Sequence, residues 1–275
     1  MNIEEPVGQG VTRRWHVSDV LADTRTEYQH LVIGTTAQGV SLFCDDERQS
    51  TEFSQLVYHE ALLVPALLLA STVDRVLIVG SSEGVASQIA AAAGASVDHV
   101  DIDAEAVRLC AEHLPYGYSP DELARAERGE GPVRVRYADG WEYVRRCGEK
   151  YDIVVVDLPD EQDDLDAQHN RLYGTEFLAS CRSLLTSGGV VAYQGGCPTL
   201  WRNSTLVKCW RRFEKVFPAP VYFGSAEHEW AFFFGTDREN PLETMTERLP
   251  GLRYRPETID ALALRGATVP PMSLR

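Results

Sequence analysis

Val76-Leu77-Ile78-Val79-Gly80-Ser81-Ser82-Glu83-Gly84 is the stretch that decides the fold. Four apolar residues without polar alternation fit a strand covered on both faces. The small residues after them form a turn whose backbone N–H groups a ligand can approach closely. Helical periodicity follows to about residue 93, so strand, turn and helix succeed one another. Twenty-one residues beyond Gly80, Asp101 closes a second strand in His99-Val100-Asp101-Ile102-Asp103. An acid at that point can accept hydrogen bonds from both hydroxyls of a ribose.

Outward from this unit the same alternation continues. Residues 96–100, 133–137, 153–156 and 190–193 are short β-branched runs, separated by helical stretches near 105–113, 141–146, 176–185 and 204–217. Such alternation requires a parallel sheet covered by helices on both faces, with ligands at the carboxyl ends of the strands. Residues 221–224 and 230–234 lie too close together for a helical crossover and read as an antiparallel pair. On the other side, residues 28–35 and 40–44 flank Ala37-Gln38-Gly39 as a β-hairpin, and a helical segment begins at Phe53. The expected organisation is an N-terminal β-strand module over 1–55 and an α/β catalytic domain over 56–275. The tail beyond Pro250, ending near Pro270-Pro271, is expected to be loosely packed.

Bulk properties narrow the function. A chain of 275 residues with 44 % hydrophobic residues can bury a full core. The acidic start, MNIEEPVGQG, has no signal pattern, and residues 62–70 are too short to span a bilayer, so a cytoplasmic protein without a membrane partner is expected. Six scattered cysteines show neither C-x-x-C nor zinc-ligand spacing, so reduced thiols and no metal are expected. A formal net charge of −15 disfavours nucleic acid, whose phosphates need a basic surface, and suits a cationic small molecule.

Further acids fall at strand ends. Asp139-Gly140 follows the third strand, where the carboxylate can accept from the amine of an adenine and Gly140 permits a turn beneath the ring; the pair would also fit a plain turn. The fourth strand ends in Asp157-Leu158-Pro159-Asp160-Glu161, with Asp163, Asp164 and Asp166 beyond. Carboxylates crowded at a sheet edge repel one another unless a cation sits among them. From Asp163 onward a solvated acidic loop serves as well, but Asp157 belongs at the buried strand end.

The order Thr26-Glu-Tyr-Gln29, Gln49-x-Thr51-Glu52, Tyr58-His59-Glu60, the Gly80 turn, Asp101-Ile-Asp103, Asp139-Gly140, Asp157-x-x-Asp160, Leu172-Tyr173-Gly-Thr-Glu176-Phe177 and Gln194-Gly195 resembles spermidine synthases from about residue 18 to 235. The resemblance implies a Rossmann-like, S-adenosylmethionine-dependent transferase fold with a small N-terminal β-rich module. It also implies transfer of an aminopropyl group from decarboxylated S-adenosylmethionine to a small amine, by a homo-oligomer, dimer or tetramer. Carried over by position, Gln29, Gly80, Glu83, Asp101, Ile102, Asp139 and Gly140 hold the nucleoside donor. Asp157 and Asp160 hold and deprotonate the amine beside Tyr58, while His59 and Gln194 bind substrate.

Departures from that pattern concern the donor tail and the acceptor. Glu83 replaces a shorter family aspartate, Ser81 and Ser82 replace glycines, and Glu161 replaces a proline. The acceptor loop reads Gly224-Ser-Ala-Glu227-His228-Glu229, although Trp230 matches the tryptophan after it. Two alternatives follow on the same fold. One is a small-molecule methyltransferase using intact S-adenosylmethionine, whose carboxylate Ser81 and Ser82 could bind. The other is an inactive nucleoside-binding relative, if the altered loop closes the acceptor pocket.

Overall fold

The computed structural model describes residues 1–8, 10–162, 167–224 and 229–275. Six strands come first: β1 (Asn2–Gly8), β2 (Val11–His16), β3 (Val20–Arg25), β4 (His30–Thr36), β5 (Gly39–Cys44) and β6 (Glu47–Thr51). The first two form an antiparallel ribbon and the other four an antiparallel sheet in the order β3-β4-β5-β6. The hairpin expected around Gln38 joins β4 to β5, with Thr36 opposite Gly39.

Next come α1 (Gln55–Leu69), β7 (Arg75–Gly80), α2 (Val85–Ala92), β8 (Ser96–Asp101), α3 (Ala104–His113), α4 (Pro120–Glu127), β9 (Val133–Tyr137), α5 (Gly140–Arg146) and β10 (Tyr151–Asp157). The remaining elements are α6 (Thr175–Ser183), β11 (Leu185–Gly196), α7 (Ser204–Val216), β12 (Val221–Gly224), β13 (Ala231–Gly235), α8 (Pro241–Arg248) and α9 (Ala261–Ala267). Seven strands make one sheet, ordered β12-β13-β11-β10-β7-β8-β9. The five from β9 to β11 run parallel, and β12 and β13 add the antiparallel edge.

This order fixes where a ligand can sit. From β7 the chain winds through β8 to β9, then returns to the opposite side of β7 to lay down β10 and β11. The direction therefore reverses between β7 and β10, and the crevice of such a sheet opens at the carboxyl ends flanking that reversal. There Asp157 pairs in register with Gly80. Glycine is required at that point: φ at Gly80 is 82°, and a Cβ would lie 2.1 Å from the Asp157 carbonyl oxygen. Ser81 follows at φ 64°, an unfavourable conformation for a residue with a Cβ.

Apolar faces on both sides of the sheet explain its burial. On one side α1 and α2 pack over Val76, Ile78, Ile153 and Val155; on the other, Leu77, Val79, Val154 and Val156 meet Phe177, Phe213 and Tyr193. Successive residues of each strand thus serve opposite layers. Buried residues encircle α1, because it lies between the sheet and the C-terminal helices.

One expectation needs correction. The segment after Pro250 is packed, not loose: Ile259 and Leu264 join the core, and Tyr254 lies against it. The reason is Glu60 on α1, 0 % exposed, whose carboxylate accepts hydrogen bonds from Tyr254 Oη, the backbone N–H groups of Glu257 and Thr258, and Thr258 Oγ1 at 2.6–2.8 Å. At Gly140 glycine is required by close approach, since a Cβ would stand 2.6 Å from Val79 Cγ1.

Glu60→Ala would leave those donors buried without their acceptor. A loss of roughly 3 kcal/mol in urea unfolding is expected, with faster proteolysis beyond Pro250. An unchanged unfolding midpoint would remove the carboxylate as the anchor of this segment.

Candidate active site

Above the Gly80–Asp157 contact the described residues enclose a cavity of about 310 Å³. Its walls include Gln29, Gly80, Glu83, Asp101, Ile102, Asp139 and Gly140, and also Tyr58, Asp157, Asp160 and Gln194. All but one of the residues to which the resemblance gives a donor, amine or catalytic role therefore meet at one site. The exception is His59, which does not line the cavity. It is buried behind Tyr58, ring to ring at 5.1 Å, and its Nδ1 donates to the Gln55 carbonyl at 2.7 Å, one helical turn back. A helix cannot aim adjacent side chains at the same point, so the cavity receives Tyr58 alone.

At the nucleoside end, Asp101 accepts from the Ser82 hydroxyl at 2.8 Å and from the Asp103 backbone N–H at 2.8 Å. Burial nevertheless pushes its carboxyl up to about 6, with these two hydrogen bonds opposing the rise. Ser82 is thus engaged with the protein's own acid, and the Ser81 hydroxyl is buried beside Asp157. Asp103, which the residue-by-residue reading left without a role, caps α3 through the Ala106 N–H and receives Gln29 Nε2 at 3.0 Å and Thr26 Oγ1 at 2.7 Å. It ties the N-terminal sheet to the cavity rim. Asp139 caps α5 through the Glu142 N–H and also pairs with Arg171.

At the other end Tyr58 donates to Asp157 Oδ1 at 2.5 Å. Burial raises the Asp157 carboxyl above its ordinary range, the nearby Glu83 adding to the effect and His59 and the Tyr58 hydrogen bond opposing it. The Tyr58 hydroxyl is pushed far up by burial and by Asp157, so it stays a donor at neutral pH. Asp160, also raised by burial, accepts from Gln194 Nε2 at 2.7 Å. The Tyr173 hydroxyl, 3.0 Å from Gln194 Oε1 and 2.8 Å from the Pro159 carbonyl, fixes which way that amide faces. Gln194 therefore orients Asp160 from the wall. Asp163, Asp164 and Asp166, and positions 225–228 of the altered loop, lie outside the described residues. Trp230, the residue matched after that loop, lines the cavity and meets Tyr58 edge to face at 5.6 Å.

The profile of the spermine/spermidine synthase domain matches residues 55–226, well over half of the chain. This chain belongs to the spermine/spermidine synthase family. A polyamine aminopropyltransferase from Pseudomonas syringae pv. tomato is 29 % identical, over 95 % of this chain and 94 % of its own. One from Hyperthermus butylicus is 31 % identical over 79 % of this chain and 70 % of its own. Among solved structures, a spermidine synthase in complex with the transition-state analogue AdoDATO superposes with a TM-score of 0.85 at 18 % identity, covering 100 % of this chain and 94 % of that one. The spermidine synthase of Thermotoga maritima gives 0.83. Those two establish the shared fold, a Rossmann-like sheet with an antiparallel N-terminal β-module.

The Ser82–Asp101 hydrogen bond can be tested directly. The Asp101 carboxyl should titrate near 6 by carbon NMR. Ser82→Ala removes a donor that favours the ionised form, so the midpoint should move upward. A midpoint unmoved by the substitution would show that the hydroxyl does not hold the acid.

Proposed function

We propose that this protein moves the aminopropyl group of decarboxylated S-adenosylmethionine to an amine, with Asp157 as the proton acceptor. The observation that carries the reading is Asp157 itself: a half-buried acid with raised proton affinity, fixed by Tyr58 at 2.5 Å in the gap where the sheet reverses. An aliphatic ammonium with a pKa near 10.4 is deprotonated in about one molecule in a few thousand at pH 7, a scarcity worth roughly 4–5 kcal/mol. A carboxylate placed at the attacking nitrogen offsets part of that, and Asp160, oriented by Gln194, steadies the incoming cation. The sulfonium carries its own leaving group, so in-line alignment of nitrogen, carbon and sulfur supplies the rest.

For the donor, Asp101 would accept from the ribose hydroxyls, with Gln29 and Ile102 beside it and Asp139 at the adenine amine. Glu83, buried on the cavity wall, would face the donor's tail, attracting the lone ammonium of the decarboxylated nucleoside and repelling the carboxylate of the intact one. Of the two hydroxyls that favoured methyl transfer from intact S-adenosylmethionine, that of Ser82 is already hydrogen-bonded to Asp101. The inactive reading conflicts with a cavity that still joins Asp157, Asp160 and Tyr58. The same reading puts the enzyme in the cytoplasm as a dimer or tetramer. Among the described residues no helix is long and apolar enough to cross a membrane.

Asp157→Asn should lower kcat at least about a hundredfold, the usual scale for removing a general base. Affinity for 5′-methylthioadenosine should change little, since that ligand brings no amine to Asp157. The wild-type rate should rise from pH 6 toward 9 as free amine accumulates. Methylthioadenosine release from the decarboxylated donor, followed by chromatography, checks both. Turnover of Asp157→Asn near that of the wild type would overturn the assignment, and tighter binding of intact S-adenosylmethionine with methyl transfer would replace the reaction.

A further inference from the structure

Beyond Asp160 the cavity is lined by guanidinium groups as well as acids. Arg202, 17 % exposed, lies 3.7 Å from Asp160 Oδ2 and 3.8 Å from Glu47 Oε2. Both separations are too long for a hydrogen bond, and among the described residues none of its five N–H donors has an acceptor within reach. Arg48 reaches the same cavity. It is 6 % exposed, lies over the Trp230 ring at 4.6 Å, and bonds Glu229 through Nη2 at 2.9 Å. Its buried Nε has no partner. Glu229 is shared: Arg13 bonds it, and Arg13, Arg48 and Arg202 together hold its carboxyl below the ordinary range against the effect of burial. Buried N–H groups of a charged side chain without acceptors are rare, because leaving them unmade is unfavourable.

These positions conflict with a diamine. Its second ammonium would have to share Asp160 and Glu47 with a guanidinium already facing both. A carboxylate at the same place meets the unused donors of Arg202, whose planar fork matches it through parallel hydrogen bonds, with the Arg48 charge beside it. Resting on the aminopropyl-transfer reading, we propose that the amine acceptor of this enzyme carries a carboxylate, bound by Arg202 with Arg48 beside it, while its amine faces Asp157. In the reaction the amine nitrogen attacks the aminopropyl carbon bonded to sulfur. The C–N bond forms as the C–S bond breaks, its electron pair stays on sulfur to give neutral methylthioadenosine, and the nitrogen's proton passes to Asp157. The product is an N-(3-aminopropyl) amino acid.

The test supplies decarboxylated S-adenosylmethionine with 4-aminobutanoate, 5-aminopentanoate, lysine, putrescine or cadaverine, and measures methylthioadenosine release. At least one of the three carboxylate-bearing amines should exceed both diamines by tenfold or more in kcat/KM. Arg202→Ala should raise KM for that acceptor on the order of a hundredfold with kcat within a few-fold, and should raise kcat/KM for putrescine by removing the competing cation. Arg202→Gln serves if the alanine variant does not fold. Calorimetric titration of the favoured acceptor in the presence of methylthioadenosine should show the same loss of affinity. A preference for putrescine, lost or kept equally in the variants, overturns the inference and leaves aminopropyl transfer standing. Carboxylate preference that survives both substitutions overturns the assignment to Arg202. Release with none of the five acceptors overturns the transfer reading, and the inference with it.

Discussion

The approach of β7 to β10 at Gly80 and Asp157 is the constraint on which the site depends. Parallel pairing brings the Gly80 backbone so close to the Asp157 carbonyl that no side chain fits between them. The next N–H, that of Ser81, donates to that carbonyl at 3.1 Å, so the turn begins as a continuation of the strand pairing. One contact thereby ends two strands at the same height and holds the Asp157 side chain at the cavity floor, while the Gly84 N–H closes the turn on the Ser81 carbonyl at 2.9 Å. Behind the turn, His99 is pinned between the Gly80 carbonyl at 2.8 Å and the Tyr118 hydroxyl at 3.0 Å. Burial lowers its pKa to about 4, so it props the turn as a neutral ring.

Around that floor the protein keeps carboxylates close together by giving each a different set of donors. Asp101 has a hydroxyl and a backbone N–H, Asp157 a phenol, Asp160 an amide and a distant guanidinium, and Asp139 a helix N-terminus and an arginine. The side-chain partners come from distant parts of the chain, so the site's electrostatics depend on its tertiary contacts. Loosening α1 moves Tyr58, and with it the proton affinity of Asp157.

The alternating pattern made the sheet legible, because unbroken apolar runs such as 76–79 and 153–156 can only be buried on both faces. The strand-end acids were legible for the same reason: a carboxylate that closes such a run has nowhere to point but the crevice. Other features had weaker signals. Helix α4 went unread although Ser119-Pro120-Asp121-Glu122 spells its start, with Ser119 and Glu122 forming a reciprocal capping box. The packed C-terminal segment could not be read locally, since its cohesion comes from an acid on a distant helix. That His59 lies behind Tyr58 could not be read either, because adjacency in a motif says nothing about which face of a helix points inward. Arg202 had no motif at all; only the folded chain brings the segment before α7 to Asp160 and Glu47.

Glu60 also has a temporal side. Its donors at Glu257 and Thr258 lie 197 and 198 residues further along the chain. At ribosomal speeds of roughly 5–20 residues per second, they emerge about 10–40 s after the acid itself. Throughout that interval a nascent α1 that docked on the sheet would carry a carboxylate with none of these partners. The full set of hydrogen bonds to Glu60 can therefore close only after nearly the whole chain has been made.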